Sequence, residues 1–256
     1  MHTKRTIFKD KIRAEFLPPN PSFTSKLFFE SNQDKVMLYA AGMPAMPIKK
    51  YLLEFFSKKG YWAIHPRYRG CWESEGEFLA ESPTRDILDV IEELPKGFPS
   101  IWEDEDYTVN PSKVVVVGSS FGGAAAILST LSDQVDKAVC FAPVVDWTAE
   151  SDGEPHDWLY SVVDKAYGGA YNVNKEDWDK LQNGKFFNPA AKKDELDGDD
   201  IMIFHARDDE TVLFEPVKEF SQEIDCKFVS KKEGGHLSVR NIKRFFWWWK
   251  VRSFIS

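Results

Sequence analysis

The chain has 256 residues, 43% hydrophobic and 14% aromatic, enough to bury one sizeable core, and a single large α/β domain is its natural size. A net charge of −8 argues against nucleic acid as a partner, because phosphate binding needs concentrated Lys and Arg. No apolar run reaches the roughly 18 residues that span a bilayer, so no membrane insertion is expected.

In chain order, Lys4 to Pro18 and Phe23 to Ser31 alternate as the strands of an antiparallel hairpin, with Pro18-Pro19-Asn20-Pro21 at its turn. Lys35 to Ala41 predicts a strand. Pro47 to Lys59 predicts an amphipathic helix that begins at proline and stops at Gly60. Tyr61 to Pro66 is the next strand, and Pro83 to Leu94 the next helix, with Ser82 as N-cap. Lys113 to Val117 is a β-branched strand, Gly122 to Leu131 a helix, and Lys137 to Ala142 a strand. Asp200 to Ala206 predicts a strand, Glu215 to Ile224 a helix, Cys226 to Ser230 the last strand and Asn241 to Ser253 the last helix.

Strands alternating with helices imply a mostly parallel sheet covered on both faces, here eight strands with the antiparallel hairpin in front. The rhythm breaks after the sixth strand. Residues 144–199 read as a lid insertion into a core of 1–143 and 200–256, since a connection that long usually has a function. Between Glu150 and Asp200 stand 13 acidic and 6 basic residues, so most of the net charge is local. A solvated, variable surface explains this, and so does an acidic lid that disfavours anionic substrates.

The most informative stretch is Gly118-Ser119-Ser120-Phe121-Gly122, between the Val114 to Val117 strand and the following helix. G-x-S-x-G in that setting reads as a nucleophile elbow, a turn so sharp that Ser120 is strained and its hydroxyl exposed above the sheet. Serine needs an adjacent base, normally histidine held by a carboxylate. Of the five histidines, His236 in Glu233-Gly234-Gly235-His236-Leu237 directly follows the last strand, on a flexible loop able to return over the sheet edge. The carboxylate should lie between serine and histidine at a strand end. Asp209 fits, while the adjacent Asp208 and Asp146 at the end of the preceding strand stay open as alternatives. Backbone donors for an oxyanion are expected from Phe121 and from the Gly42 to Pro47 loop, with Met43 the choice. Met43 and Met46 would line the mouth of the pocket.

Together these segments resemble the α/β-hydrolase superfamily, in the order Ser120, Asp209, His236. Arg67 to Gly76 is similar to the loop after the fourth strand in serine aminopeptidase-like, X-prolyl-peptidase-like and acyl-ester hydrolases. Phe141 to Trp147 resembles a segment of the prolyl-oligopeptidase-like branch, which usually carries a propeller domain for which this chain has no room. The chain departs from the superfamily pattern at three points: Ala41-Gly42 replaces a common His-Gly, Trp72 stands where glycine is usual, and His205-Ala206 replaces a frequent His-Gly.

The resemblance implies a serine hydrolase, with carboxylic-ester hydrolysis of a small-molecule substrate as the leading expectation. A small aminopeptidase or acyl-peptide hydrolase is the alternative. A non-catalytic binding protein is the competing class, opposed by the complete Ser, Asp and His set. Aromatic residues of the insertion form either a pocket wall or the lid's own core; Trp147, Trp158 and Tyr160 are the pocket expectations, with Met46 from the core. No His, Cys and acidic residues cluster at metal-ligand spacing, and the expected mechanism needs no cofactor. Three widely spaced cysteines and a Met1 to Asp10 segment without an apolar h-region suit reduced thiols and the cytoplasm. In the last helix, Ile242, Phe245, Phe246 and Trp249 share one face, expected to pack on the sheet, with a homodimer contact as the second reading.

Overall fold

The β-branched run Val114 to Val117 lies at the centre of an eight-stranded sheet, buried on both faces. The computed structural model describes residues 2–21, 34–47, 49–149 and 153–256. The strands are β1 (Lys4–Phe8), β2 (Ile12–Leu17), β3 (Asp34–Ala40), β4 (Trp62–Pro66), β5 (Pro111–Ser119), β6 (Lys137–Phe141), β7 (Ile201–Ala206) and β8 (Lys227–Lys231). Their order across the sheet is β1-β2-β4-β3-β5-β6-β7-β8. β2 pairs antiparallel with β1 and β4, and every other pairing within this sheet is parallel.

The helices used below are α1 (Lys50–Lys58), α2 (Pro83–Glu93), α3 (Phe121–Ser129), α4 (His156–Lys165), α5 (Lys175–Asp179), α6 (Phe214–Glu223) and α7 (Phe245–Ile255). Side chains alternate across the pleat. Val36, Leu38, Val114 and Val116 face one core with α2, α3 and α6. Met37, Tyr39, Val115 and Val117 face the other with α1 and α7. Ser82 stands at the N-cap of α2 in extended conformation but makes no side-chain cap bond; Pro83, whose fixed φ suits the first helical position, begins the helix. α1 starts at Lys50 rather than Pro47.

Two expectations are corrected. The N-terminal hairpin is tighter than expected: both of its strands lie within residues 4–17, and the expected partner Phe23 to Ser31 falls outside the described residues. Its turn is Lys9-Asp10-Lys11, with Lys9 and Asp10 at φ 50 and 55 and Lys11 N–H donating to Phe8 O at 3.0 Å. A polar turn without Gly or Pro gives little sequence signal. The last helix also buries a different face. Arg244, extended at φ −71 and ψ 139, separates a 3-10 turn (Val239–Lys243) from α7 and resets the helical phase. Trp247, Val251 and Ile255 are buried, whereas Phe245, Phe246 and Trp249 are exposed.

Between β6 and β7, residues 153–199 of the expected insertion form α4, α5 and short 3-10 turns, and this segment is knitted to the loop after β4. Trp72 N–H donates to Ala170 O at 2.7 Å, Asn172 N–H to Gly70 O at 2.7 Å and Phe78 N–H to Asn172 O at 2.8 Å. Tyr171, Trp178 and Phe187 are buried in the cluster that also covers the sheet, so these rings serve as core.

Candidate active site

The turn between β5 and α3 is where backbone geometry concentrates. Ser120 has φ 52 and ψ −123, a conformation that costs a non-glycine residue about 1–3 kcal/mol and persists only where its surroundings enforce it. Those surroundings are the neighbouring strand ends: Ser120 N–H donates to Phe141 O at 3.0 Å, and Val144 N–H donates to Ser120 O at 3.1 Å. A Cβ at Gly122 would stand 2.2 Å from Ala40 O, and one at Gly118 would stand 2.3 Å from Gly122 O. Only glycine lets strand and helix approach this closely. Phe121 is the first residue of α3, where helix geometry leaves the N–H without an intrahelical acceptor.

The loop after β3 presses on the same turn, since a Cβ at Gly42 would lie 3.3 Å from Ser120 Cβ. This loop is braced from three sides. Tyr68 Oη donates to Ala41 O at 3.0 Å, Trp72 Nε1 donates to Ala45 O at 3.0 Å, and Ala45 N–H donates to Tyr171 Oη at 2.9 Å. The departure at Trp72 acquires a structural meaning here. It takes the left-handed conformation, φ 55, that glycine would adopt readily, and uses its indole N–H to hold the Met43 loop. Trp72 stands out in the sequence only as a departure from glycine, and its bracing role is not legible there, because hydrogen bonds from a distant loop leave no local pattern.

Asp209 follows β7, and its side chain is fully buried. Its Oδ1 accepts Thr211 N–H and Val212 N–H, each at 3.0 Å, and its Oδ2 lies 3.0 Å from His236 Nδ1. Burial alone would raise this carboxyl; the hydrogen bond and charge of His236, the Val212 N–H and the nearby His205 outweigh it and hold it below the usual aspartate range. An ionised Asp209 makes Nδ1 of His236 the protonated nitrogen and leaves Nε2 as the acceptor. His205, at the end of β7, donates from Nε2 to Val212 O at 3.0 Å, and burial lowers its pKa.

The other two acids stand elsewhere. Asp208 accepts Gly234 N–H at 3.1 Å and Gly235 N–H at 2.9 Å, fixing the turn that carries His236. Asp146 Oδ1 accepts from Thr148 N–H and Oγ1 and from Asn188 Nδ2, a tie within the insertion.

Ser120 and His236 stand together at the junction of two hollows. One, of about 270 Å³, lies beneath the insertion and is lined by Met43, Phe121, Trp147, Trp158, Leu159 and Val212 among others. The second, of about 260 Å³, is lined by Tyr39, Lys49, Tyr51 and Ser119. Of the expected pocket residues, Trp147 and Trp158 line the first hollow. Met46 does not; it is half exposed and borders a separate cleft beside Trp72 and Tyr171. Tyr160 is also absent from the wall, its ring 5.7 Å from that of Trp178 in the packing of the insertion. Residue type suggested both, with the insertion as the setting for Tyr160 and the loop after β3 for Met46, but side-chain direction is set by contacts that the sequence does not display. Among the described residues, no group of His, Cys, Asp and Glu could hold a metal ion.

A family model described as the prolyl oligopeptidase family matches residues 49–241, which includes Ser120, Asp209 and His236. The chain belongs to the prolyl oligopeptidase family. This places it among the serine hydrolases of the α/β-hydrolase superfamily, and within the branch that the Phe141 to Trp147 segment resembles. A stretch of 148 residues, 57% of the chain, is 28% identical to the non-reducing polyketide synthase atr1 of Stereocaulon alpinum, and the chain spans 5% of that protein. Solved structures show the same fold. An acylaminoacyl peptidase of Pyrococcus horikoshii is 17% identical at TM-score 0.61, over 94% of this chain and 38% of the peptidase. The Pyrococcus furiosus esterase Pf2001 is 18% identical at TM-score 0.62, over 98% of this chain and 88% of the esterase. A Thermogutta terrifontis esterase is 16% identical at TM-score 0.61, over 98% and 90%. No described helix of this family member is long and apolar enough to cross a membrane.

Proposed function

We propose that this prolyl oligopeptidase family member hydrolyses small-molecule carboxylic esters through an acyl-enzyme on Ser120. The observation that carries the proposal is the buried Asp209 bonded to His236 Nδ1 at 3.0 Å, on the cavity that Ser120 also lines. In the first half-reaction the Ser120 oxygen adds to the ester carbonyl while His236 Nε2 takes its proton. Asp209 stabilises the resulting imidazolium and holds the ring in register. The Phe121 and Met43 N–H groups receive the oxyanion. The alcohol departs with the proton from His236. Water then attacks the acyl-enzyme by the same route in reverse, releasing the acid and restoring Ser120. No cofactor enters these steps. The two hollows flanking Ser120 offer separate places for the acyl and alcohol halves, and the 144–199 segment acts as the lid over one of them.

The ester reading is supported by the likeness in fold to the Pyrococcus furiosus and Thermogutta terrifontis esterases and by the two hollows that flank Ser120. The three free cysteines, two of them buried, suit a cytoplasmic setting. The reading is tested with a fluorophosphonate probe and an aryl-ester assay. Labelling and turnover are expected in the native protein and lost in Ser120→Ala. Asp209→Asn is expected to lower kcat by about 10⁴-fold, because the imidazole then settles in the wrong tautomer. Cleavage of aminoacyl anilides without any ester turnover would overturn the ester assignment.

A further inference from the structure

The hollow beneath the insertion has a one-sided charge. Two carboxylates, Asp146 and Glu154, line it, and among the described residues no Lys or Arg does. Glu154 Oε1 lies 3.5 Å from Thr211 Oγ1, which places this carboxylate between the insertion and the loop that carries Asp209. Asp146 is tied by three donors within the insertion, whereas Glu154 reaches the Thr211 side chain two residues beyond Asp209. His156 also lines the hollow, with Nε2 3.2 Å from Asp179 Oδ1, and its ring packs beside Trp178. Trp147 and Trp158 add aromatic surface, with Trp158 half exposed. Lys49, a cation near Ser120, belongs to the second hollow, on the wall it shares with Tyr39 and Tyr51.

Carboxylates and indoles together attract an ammonium group, the first by charge and the second through the negative face of the ring. An anionic group in the same place would meet two like charges in a partly desolvated cavity. We infer that the esters hydrolysed here carry an ammonium-type cation in the half that lies beneath the insertion, and that Glu154 is a specificity-determining residue for it. This rests on the proposed ester hydrolysis and narrows it to a substrate class. Lys49 in the lining of the second hollow gives the orientation a sense, since like charge disfavours a cation there.

The test uses two matched pairs of esters. One pair places the charge in the acyl half: the p-nitrophenyl ester of trimethylammoniobutanoate and its isostere with carbon in place of nitrogen. The other places it in the alcohol half: choline butanoate and its carbon isostere. In at least one pair the cationic ester is expected to exceed its isostere by roughly tenfold in kcat/KM, as an attraction across a partly screened few ångströms would give. Glu154→Gln is expected to bring that ratio toward one, and so is high salt acting on the native protein. Ratios at or below one in both pairs overturn the inference. So does a ratio that neither Glu154→Gln nor salt moves. The salt series needs no variant, so it decides the matter even if Glu154→Gln does not fold. Turnover of the neutral isosteres with no cation preference removes this inference alone. Absence of all ester turnover together with unlabelled Ser120 removes the proposed function as well.

Discussion

Adjacent aspartates divide the placement of His236 between them. Asp209 addresses the ring, through Nδ1, and Asp208 addresses the backbone, through the Gly234 and Gly235 N–H groups. Those two amides also hold the Asp208 carboxyl below its ordinary pKa, which is the signature of a carboxylate that stays ionised to accept them. Gly235 sits at φ 54 and Gly234 at φ 157, and the Asp208 carboxylate accepts from both of their amides. Asp208→Ala is expected to lower kcat about ten- to a hundredfold by displacing the imidazole on the scale of an ångström. Ser120 labelling by a fluorophosphonate should be slowed in the same variant but not abolished. Wild-type kcat in Asp208→Ala would show that the loop holds itself. Three acids were compatible with the sequence because each ends or follows a strand. Only the direction of each side chain separates them.

At the scale of elements, the chain's own periodicity located nearly every strand and helix of the core, and it failed where an element is interrupted. The elbow was legible because its requirement is local: a buried strand, two glycines and a helix within a few residues. The last helix was not. Its apolar stripe was read straight through Arg244, whose extended backbone starts a new helix in a different phase. The consequence is an asymmetry among neighbouring tryptophans. Trp247 stacks on Phe204 and Phe141, with ring centroids 4.7 and 5.8 Å away, while Trp249 is 57% exposed. Trp247→Ala is expected to cost roughly 3–5 kcal/mol through the cavity it leaves. Trp249→Ala should stay within about 0.5 kcal/mol of the parent, as an exposed position does. Denaturant midpoints of the two variants check this, and equal losses would restore the face expected from the sequence.

Across the whole molecule, pH dependence arises from groups far apart in the chain that folding buries. His65 on β4 is 1% exposed, with Nδ1 3.2 Å from Tyr39 O. Burial first, then the charges of Arg67 and Lys49, lowers its pKa to about 3 from an ordinary 6.5. The unfolded chain therefore binds the proton more readily. The stability associated with neutral His65 is complete above about 6.5 and is lost as pH falls from there toward 3. Asp86 acts in the opposite sense. Burial outweighs its bonds to Arg69 and raises it from 3.8 to about 6, so its contribution is complete below 3.8 and is lost as pH rises through about 6. The two partly offset each other between pH 4 and 6 in the native protein. A His65→Gln variant removes one side of that balance. It is expected to lose less stability than the parent between about pH 7 and 4.5, as read from urea midpoints, and parallel losses would exclude His65 as the source.

The sequence by itself determined the alternation of strands and helices, the serine at the elbow, and the order of Ser120, Asp209 and His236 along the chain. These depend on periodicity, glycine and short-range spacing, which are properties of neighbours. Tertiary structure alone decided which aspartate meets His236, that Trp72 and Tyr171 brace the Met43 loop, that Met46 and Tyr160 turn away from the hollow beneath the insertion, and that Glu154 borders it. Each of these depends on where a side chain points once segments distant in sequence have packed together, and that direction is fixed by the contacts that folding creates.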